Sequence, residues 1–135
     1  MSLPAPTLRK LRTAARAASR RAYCVYSHFP VGAAVLTGRG KIVSGCNVES
    51  ASYGLTNCAE RNAVGHLVMA GELAFKAIVV YTPTQAPTAP CGACRQVLYE
   101  FGPDAEVISI CDGDGELRTT VRDLLPGAFG LKDLD

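Results

Sequence analysis

The chain lacks an excess of charge of either sign, which argues against a nucleic acid or a membrane surface as its partner. Its 14 Lys and Arg residues nearly balance its 12 Asp and Glu residues, so the formal net charge is +2 over 135 residues. Proteins that follow a phosphate backbone usually carry a concentrated basic surface. No apolar run approaches the roughly 20 residues of a membrane-spanning helix. We therefore expect neither a nucleic-acid nor a membrane partner.

The amino-terminal region lacks the apolar segment that follows the basic residues of a secretory signal. Its spacing of apolar residues instead predicts a helix of the domain over 7–23, with the arginines mostly on the other face. An organelle transit peptide is the alternative that this Arg-rich helix leaves open. We expect a cytoplasmic protein. The arginines concerned are Arg9, Arg12, Arg16, Arg20 and Arg21.

Without a secretory signal, the six cysteines do not indicate three disulfides. A chain of this length, of which 48% is hydrophobic, can form a core without covalent cross-links. Cys24, Cys46 and Cys111 lie within or beside apolar segments. We predict that these three are buried free thiols.

The predicted elements follow the order α-β-β-α-β-α-β-β within one domain, residues 1–135. Asn57 is the predicted N-cap of the second helix, and Pro90 opens the third. The turn at 112–115 is too short for a parallel crossover, so the last two strands must be antiparallel. We predict a three-layer α/β/α fold with a mixed five-stranded sheet and a carboxy-terminal antiparallel hairpin. Predicted helices cover 7–23, 58–70 and 91–101, and predicted strands cover 31–37, 41–48, 77–82, 107–111 and 117–121, followed by a broken helical turn at 123–129.

Three further cysteines have the spacing of a metal centre. Cys91 and Cys94 form a C-x-x-C pair on one helix face, and Cys58 lies 33 residues earlier (91 − 58 = 33). Both predicted helix N-termini favour negative charge, and therefore thiolates. Three thiolates leave the fourth position of a tetrahedral zinc ion to water, as in catalytic sites. A structural site needs a fourth protein ligand; His66 lies more than two helical turns from Cys58, whereas spacing leaves His28 open.

Glu60 is the predicted proton carrier of this centre. It lies two residues after Cys58, about 200° around an ideal helix, so it should not bind the same ion. A carboxylate beside the metal can move protons between water and substrate, as in zinc deaminases. Three thiolates would also make zinc a poorer Lewis acid. Arg61 and Arg95 follow the ligands closely, and we predict that one or both donate hydrogen bonds to the sulfurs. The alternative is that they lie on the solvent-facing sides of their helices.

The chain resembles the homotetrameric cytidine deaminase family over nearly its whole length. The resemblance extends well beyond the metal motif, and its departures are small: Ser50 stands where the family often has Asn, and Leu131 follows Gly130 where a proline or polar residue is common. The matching segments are Tyr-Ser-His-Phe-Pro-Val-Gly-Ala-Ala (26–34), Gly-Cys-Asn-Val-Glu-Ser-Ala-Ser-Tyr (45–53), Asn-Cys-Ala-Glu-Arg (57–61), Pro-Cys-Gly-Ala-Cys-Arg-Gln (90–96) and Asp-Leu-Leu-Pro (123–126).

The resemblance implies one zinc ion per subunit, held by Cys58, Cys91 and Cys94, with Glu60 as the proton shuttle. It also implies substrate-binding roles for six further residues, two of which would come from a neighbouring subunit of a homotetramer with shared active sites. These are Asn47 and Glu49 at the ribose 3′-hydroxyl, Phe29 on the pyrimidine ring, the Ala59 backbone N–H at the 2-oxo group, and Tyr53 and Phe129 from the neighbour.

The resemblance therefore implies hydrolytic deamination of cytidine and 2′-deoxycytidine to uridine and deoxyuridine, with release of ammonia, in pyrimidine salvage. The nearest alternative is another zinc aminohydrolase of the same fold, such as a blasticidin S deaminase or an enzyme for modified pyrimidine nucleosides. A nucleic-acid-editing deaminase fits less well, because such enzymes usually carry His-x-Glu and need a cationic channel. A zinc-binding module without activity is the alternative from a different class.

Overall fold

A computed structural model describes residues 3–135 of the chain, and its elements follow the predicted order. Two short 3₁₀ turns, Tyr53–Leu55 and Leu131–Leu134, lie outside the helices and strands. The helices are Ala5–Ser19 (α1), Ala59–Met69 (α2), Gly92–Phe101 (α3) and Val121–Leu124 (α4). The strands are Gly32–Thr37 (β1), Ile42–Cys46 (β2), Phe75–Tyr81 (β3), Glu106–Ile110 (β4) and Leu117–Thr120 (β5).

The five strands form one mixed sheet in the order β2-β1-β3-β4-β5. β1 runs antiparallel to both β2 and β3, and β3 runs parallel to β4 through the α3 crossover. β5 returns antiparallel beside β4, which confirms the predicted carboxy-terminal hairpin. Because β3 and β4 are parallel, their carboxyl ends meet at one edge of the sheet, where ligands bind in many α/β folds.

Helices cover both faces of the sheet, as the three-layer prediction requires. On one face, Leu11 and Ala15 of α1 pack with Val79 of β3. On the other face, Leu67 of α2 and Leu98 of α3 pack with alternate residues of the same strands, including Val80. β3 is therefore buried on both sides, which explains its continuous apolar sequence.

α2 lies directly against β2 at Gly45. A β-carbon at this position would lie 2.4 Å from the Ala63 nitrogen and 2.7 Å from the Ala59 oxygen. Real β-carbons do not approach backbone atoms so closely, so this contact requires glycine. The contact fixes the amino-terminal turn of α2, with its site residues, against the sheet.

The first helix ends at Ser19, four residues before the predicted end. The next segment leaves the helix to pair with the chain after β2: Tyr23 N donates to Asn47 O at 3.0 Å, and Glu49 N donates to Tyr23 O at 2.9 Å. This pairing replaces a further turn of helix, because it satisfies the backbone N–H and C=O groups of both segments. It also places the 24–30 loop beside Asn47 and Glu49.

The predicted helix starts at the metal motif were wrong by one residue. Cys58 and Cys91 are themselves the N-caps of α2 and α3, in extended conformation and without a side-chain cap. Asn57 does not cap α2, because its amide donates to Asn62 Oδ1 at 2.6 Å. Pro90 therefore precedes the cap of α3 rather than opening the helix.

The predicted helical turn at 123–129 is also displaced. α4 begins at Val121, and Thr120 caps it by accepting a hydrogen bond from Asp123 N at 3.1 Å. It ends at Leu124, before Pro126, whose ring cannot continue a helix. Across residues 3–135, no helix has both the length and the apolar character needed to cross a membrane.

All six cysteines are free thiols. Cys111 is buried as predicted, and its sulfur lies 3.5 to 3.7 Å from three backbone carbonyl oxygens. Cys24 and Cys46 are only half-buried, so the prediction of burial was wrong for them. They lie where the Tyr23 segment pairs with the chain after β2 through an isolated bridge outside the main sheet.

Candidate metal centre

The N-termini of α2 and α3 bring three cysteine sulfurs together. The Sγ atoms of Cys58, Cys91 and Cys94 all lie within 4.8 Å of one another, and those of Cys91 and Cys94 are 3.4 Å apart. Two of the cysteines are N-caps and the third lies in the first turn of α3, so each is next to backbone N–H groups that no helical carbonyl accepts. These groups favour negatively charged sulfur.

The three sulfurs fit a zinc ion. Sulfurs that share a tetrahedral zinc at about 2.3 Å lie about 3.8 Å from one another, close to the spacing found here. Within residues 3–135, the cluster contains these three ligands alone, and His66 is engaged elsewhere, with Nδ1 3.1 Å from Ser44 O. Cys94 is fully buried, whereas Cys91 is exposed. The donor set therefore suits zinc with one position left for a ligand that is not a side chain of this cluster.

The sulfurs differ in their electrostatic surroundings. Burial raises the pKa of the Cys94 thiol, and the neighbouring Glu60 carboxylate raises it further. Burial also acts to raise the pKa of Cys91, but hydrogen bonds from the Cys94 backbone and from the side chains of Cys94 and Cys58 lower it overall. A cation among the sulfurs would favour the thiolate at Cys94, since a coordinating thiol is deprotonated.

The two arginines next to the motif behave differently. Arg61 Nη2 lies 3.4 Å from Cys58 Sγ and 3.3 Å from Thr56 O, and the contact with Cys58 raises the pKa of the guanidinium. Of the two arginines, only Arg61 makes the sulfur contact predicted for one or both of them, and Arg95 bonds to backbone carbonyls instead. It donates to the carbonyls of Pro90, at 2.7 Å, and Leu124, at 3.1 Å. Arg95 thus ties the start of α3 to the end of α4.

Glu60 lies in the first turn of α2 and is only 6% exposed. Its carboxylate does not join the cluster of sulfurs, as the helical angle from Cys58 predicts. Burial raises the pKa of the Glu60 carboxyl above its ordinary value, while its own backbone N–H and Arg61 partly offset this. The geometry therefore gives a buried carboxyl group beside the ligands and facing the same cavity.

A cavity of about 530 Å³ opens in front of the sulfurs. Its volume is within the range of small-molecule sites. All five substrate-binding and catalytic residues predicted for a single subunit line it together with Cys58 and Cys91: Glu60, Phe29, Asn47, Glu49 and Ala59.

Asn47 and Glu49 are already engaged with the loop that carries Phe29. The Asn47 amide accepts from Val31 N and donates to Phe29 O, both at 2.9 Å. The Glu49 carboxylate accepts from the backbone N–H of Tyr26 and of Ser27 at 3.1 Å, and from the Ser27 hydroxyl. The Ser27 hydroxyl holds the pKa of Glu49 below its ordinary value, so this side chain is ionised at neutral pH.

The other two predicted residues lie outside this cavity. Tyr53 is 74% exposed, with its ring edge-on to Tyr26 at 5.9 Å between centroids. It lines a neighbouring depression of about 300 Å³ that shares Ser27 and Glu49 with the cavity. Phe129 is 58% exposed, and its carbonyl accepts from the Gln96 side chain at 2.9 Å. The subunit alone does not bring either ring to the sulfurs.

Sequence reasoning missed part of the cavity wall. Val80 and Thr82 line it from the end of β3, and Thr88 and Ala89 line it from the proline-rich loop before Cys91. A signal for Thr82 was present: it lies two residues beyond Val80, and alternate residues of a strand face the same side. The loop residues carry no such periodic signal.

Comparison with known proteins gives a consistent result. The family model described as "Cytidine and deoxycytidylate deaminase zinc-binding region" matches residues 6–110. A cytidine deaminase from Sporosarcina psychrophila is 46% identical over 126 residues, which is 93% of each chain. The crystal structure of a cytidine deaminase from Burkholderia pseudomallei superposes with a TM-score of 0.86 at 50% identity, over 90% of this chain and 98% of that one.

A more distant relative carries a different name. A blasticidin-S deaminase from Bacillus cereus is 32% identical over 104 residues, covering 71% of this chain and 74% of its own. The family match spans the three cysteines and Glu60, and the more similar relatives cover nearly the whole chain. The chain therefore belongs to the family of zinc-binding cytidine and deoxycytidylate deaminases.

Proposed function

We propose that this protein catalyses the zinc-dependent hydrolytic deamination of cytidine and 2′-deoxycytidine to uridine and 2′-deoxyuridine, with release of ammonia. The observation that carries the proposal is a cluster of three cysteine sulfurs at one cavity, which two of the cysteines line together with a buried, non-ligating glutamate. The two relatives that are 46% and 50% identical bear the name cytidine deaminase, which supports the same substrate.

The residues of the chain divide the chemistry between them. A zinc ion held by Cys58, Cys91 and Cys94 supplies a Lewis acid that lowers the pKa of a water molecule toward about 7. Glu60 takes a proton from the water that attacks C4 of the ring and delivers it to the ring nitrogen N3. It then takes the remaining proton from the 4-hydroxyl of the tetrahedral intermediate and delivers it to the amine. The C4–N bond breaks as the 4-oxo group forms, and the amine leaves as ammonia. Arg61 withdraws negative charge from the sulfur of Cys58.

The remaining wall of the cavity would hold the nucleoside. Phe29 packs on the pyrimidine ring, and the Ala59 backbone N–H, which lies in the first turn of α2, donates to the 2-oxo group. Asn47 and Glu49 bind the ribose 3′-hydroxyl, since each keeps acceptor capacity beyond its bonds to the loop.

The substrate assignment is tested by incubating the zinc-loaded protein with cytidine, deoxycytidine, cytosine, CMP, adenosine and blasticidin S. We expect ammonia and the matching uracil nucleoside from the first two only. Faster turnover of blasticidin S would favour the alternative suggested by the Bacillus cereus relative. Stoichiometric zinc without turnover of any compound would indicate a binding module.

Glu49→Ala is expected to raise KM for cytidine by about 10- to 100-fold with a smaller change in kcat, because a hydrogen bond to a charged group contributes about 1.5–3 kcal/mol. Steady-state kinetics with cytidine and 3′-deoxycytidine measure the effect. The variant should lose most of the preference for cytidine, since the lost bond is to the 3′-hydroxyl.

Ser27→Ala is the matched control for this variant, because it removes a contact of the loop with Glu49 but leaves the carboxylate in place. It should keep the preference for cytidine over 3′-deoxycytidine. Equal loss of that preference in both variants would assign Glu49 to the loop and not to the sugar.

We further propose a homotetramer in which Tyr53 and Phe129 complete the site of a neighbour. Large apolar side chains are exposed on the subunit, including Tyr53 at 74%, in the depression next to the cavity, and Phe129 at 58%. Exposed apolar surface of this kind suits an interface between subunits. Sedimentation should give a mass four times that of the 14.2 kDa chain. Phe129→Ala should lower kcat/KM without loss of zinc, whereas an active monomer would contradict shared sites.

A cytoplasmic role in pyrimidine salvage is part of the same proposal. Six free thiols, three of them in a metal centre, suit a reducing compartment. A free nucleoside as substrate also fits the small net charge of +2, since no polyanion has to be bound. Cell fractionation with an antibody to the protein would test the location.

A further inference from the structure

Thr82 places a buried hydroxyl group in the wall of the cavity. It extends β3 by one ladder bond, with its N–H donating to Ile110 O at 3.1 Å. Its side chain lies on the same face as Val80, the face covered by α2 and α3. It is only 5% exposed and lines the cavity together with Glu60 and Cys91.

The hydrogen bonds around Thr82 fix which way its single proton points. Thr84 Oγ1 lies 2.6 Å from Ala86 O and must donate to it, because a carbonyl oxygen can only accept. A hydroxyl has one proton, so Thr84 has none left for Thr82, 2.8 Å away. Thr82 must therefore donate to Thr84. What Thr82 can still offer is acceptor lone pairs.

We propose that Thr82 Oγ1 accepts a hydrogen bond from the exocyclic 4-amino group of the substrate pyrimidine. The inference rests on the proposed function, because it takes the cavity beside Glu60 as the place where the amine lies. Cytosine carries a 4-amino donor where uracil carries a 4-oxo acceptor. The 4-amino group has two hydrogens, so one can reach Glu60 while the other reaches Thr82.

The same arrangement distinguishes substrate from product. After deamination the 4-position is an oxygen, which faces the lone pairs of Thr82 with no proton between them. An acceptor that faces an acceptor in a buried site is unfavourable. Thr82 therefore weakens the binding of uridine and promotes its release.

Thr82→Val and Thr82→Ala test this proposal, with Thr82→Ser as the conservative variant. The first two should lower kcat/KM for cytidine about tenfold, the factor that corresponds to about 1.4 kcal/mol. The inhibition constant of uridine should stay unchanged or fall. The serine variant should restore both constants to within about threefold of the wild type. A distorted cavity would instead weaken cytidine and uridine together, and that result would overturn the proposal.

Thr84→Val tests the direction of the bond itself. Without Thr84 as acceptor, the proton of Thr82 is free to turn toward the cavity, so uridine should bind several-fold more tightly while cytidine changes little. An unchanged inhibition constant for uridine would show that Thr82 is not held as an acceptor. Thr37→Val, which removes a fully buried hydroxyl at the far end of β1, is the control and should alter neither constant.

The two levels of inference fail in different ways. If the wild-type protein does not deaminate cytidine, the proposed function is wrong. If it does, and the selectivity between cytidine and uridine is the same in Thr82→Val and Thr82→Ala as in the wild type, only the role of Thr82 is wrong.

Discussion

Glu60→Gln is expected to lower kcat for cytidine by about 10³- to 10⁴-fold while the protein stays folded and binds zinc. Glutamine has nearly the shape of glutamate but cannot take a proton from water or return it to the ring. Glu60 is not among the three residues that would bind the metal, so the zinc content should not change. Single-turnover kinetics and zinc analysis on the same sample measure both quantities.

Glu72→Gln is a matched control for this variant. Glu72 is as buried as Glu60, at 6% exposure, but it lies after α2 and accepts a hydrogen bond from Arg39 N at 3.1 Å. Its replacement should leave kcat unchanged. Full activity in Glu60→Gln would remove Glu60 from the mechanism, and equal losses in both variants would point to a general effect of altering a buried carboxylate.

Cys94→Ala is expected to abolish stoichiometric zinc binding and, with it, activity. Cys94 is fully buried between the other two sulfurs and Glu60, so water cannot easily replace its ligand atom. A metal at 1,000 times its dissociation constant stabilises the folded state by about 4 kcal/mol. For a domain of this size the loss lowers Tm by on the order of 10 °C. Zinc analysis and calorimetry measure the two effects.

Cys111→Ala separates metal loss from loss of packing. Cys111 is also buried, at 2% exposure, but its sulfur lies near backbone carbonyls and is not part of the metal cluster. It should retain one zinc per chain. A chelator should lower the Tm of the wild type and of Cys111→Ala but not that of Cys94→Ala. Full zinc content in Cys94→Ala would refute this set of ligands.

Local signals in the sequence were enough to predict the elements and the class of fold. The short connections at 38–40 and 112–115 impose antiparallel pairs, and the segment containing α3 is long enough for the parallel crossover between β3 and β4. The position of β1 between β2 and β3 was not predictable in the same way. That pairing joins strands 38 residues apart or more (75 − 37 = 38), so it depends on tertiary packing.

The site was predictable as far as chemistry restricts the choice of residue. Three thiolates and one carboxylate at this spacing have few other uses, so Cys58, Cys91, Cys94 and Glu60 could be identified together. Geometry that depends on tertiary partners was not predictable. Arg95 turns to backbone carbonyls instead of sulfur because α4 brings the Leu124 carbonyl within reach.

The helix caps show the same limit. Asn57 has a side chain that is usual at an N-cap, but its amide nitrogen donates to Asn62 Oδ1. The Asn62 amide nitrogen in turn donates to Cys46 O at 2.7 Å. The cap position thus falls to Cys58, which has no side-chain bond to the helix. Its sulfur is therefore available to bind a metal. The Asn57 side chain helps to connect α2 to β2 through Asn62 instead of capping the helix.

Asn47 and Glu49 each hold the 26–31 loop by hydrogen bonds and also line the cavity, so the sugar contacts proposed for them would be coupled to the position of Phe29. Redesign toward nucleosides with an altered sugar could not proceed by exchanging these two side chains alone, because the loop that carries Phe29 would lose its hydrogen bonds to them. Changes to the loop, to Asn47 and to Glu49 would have to be selected together.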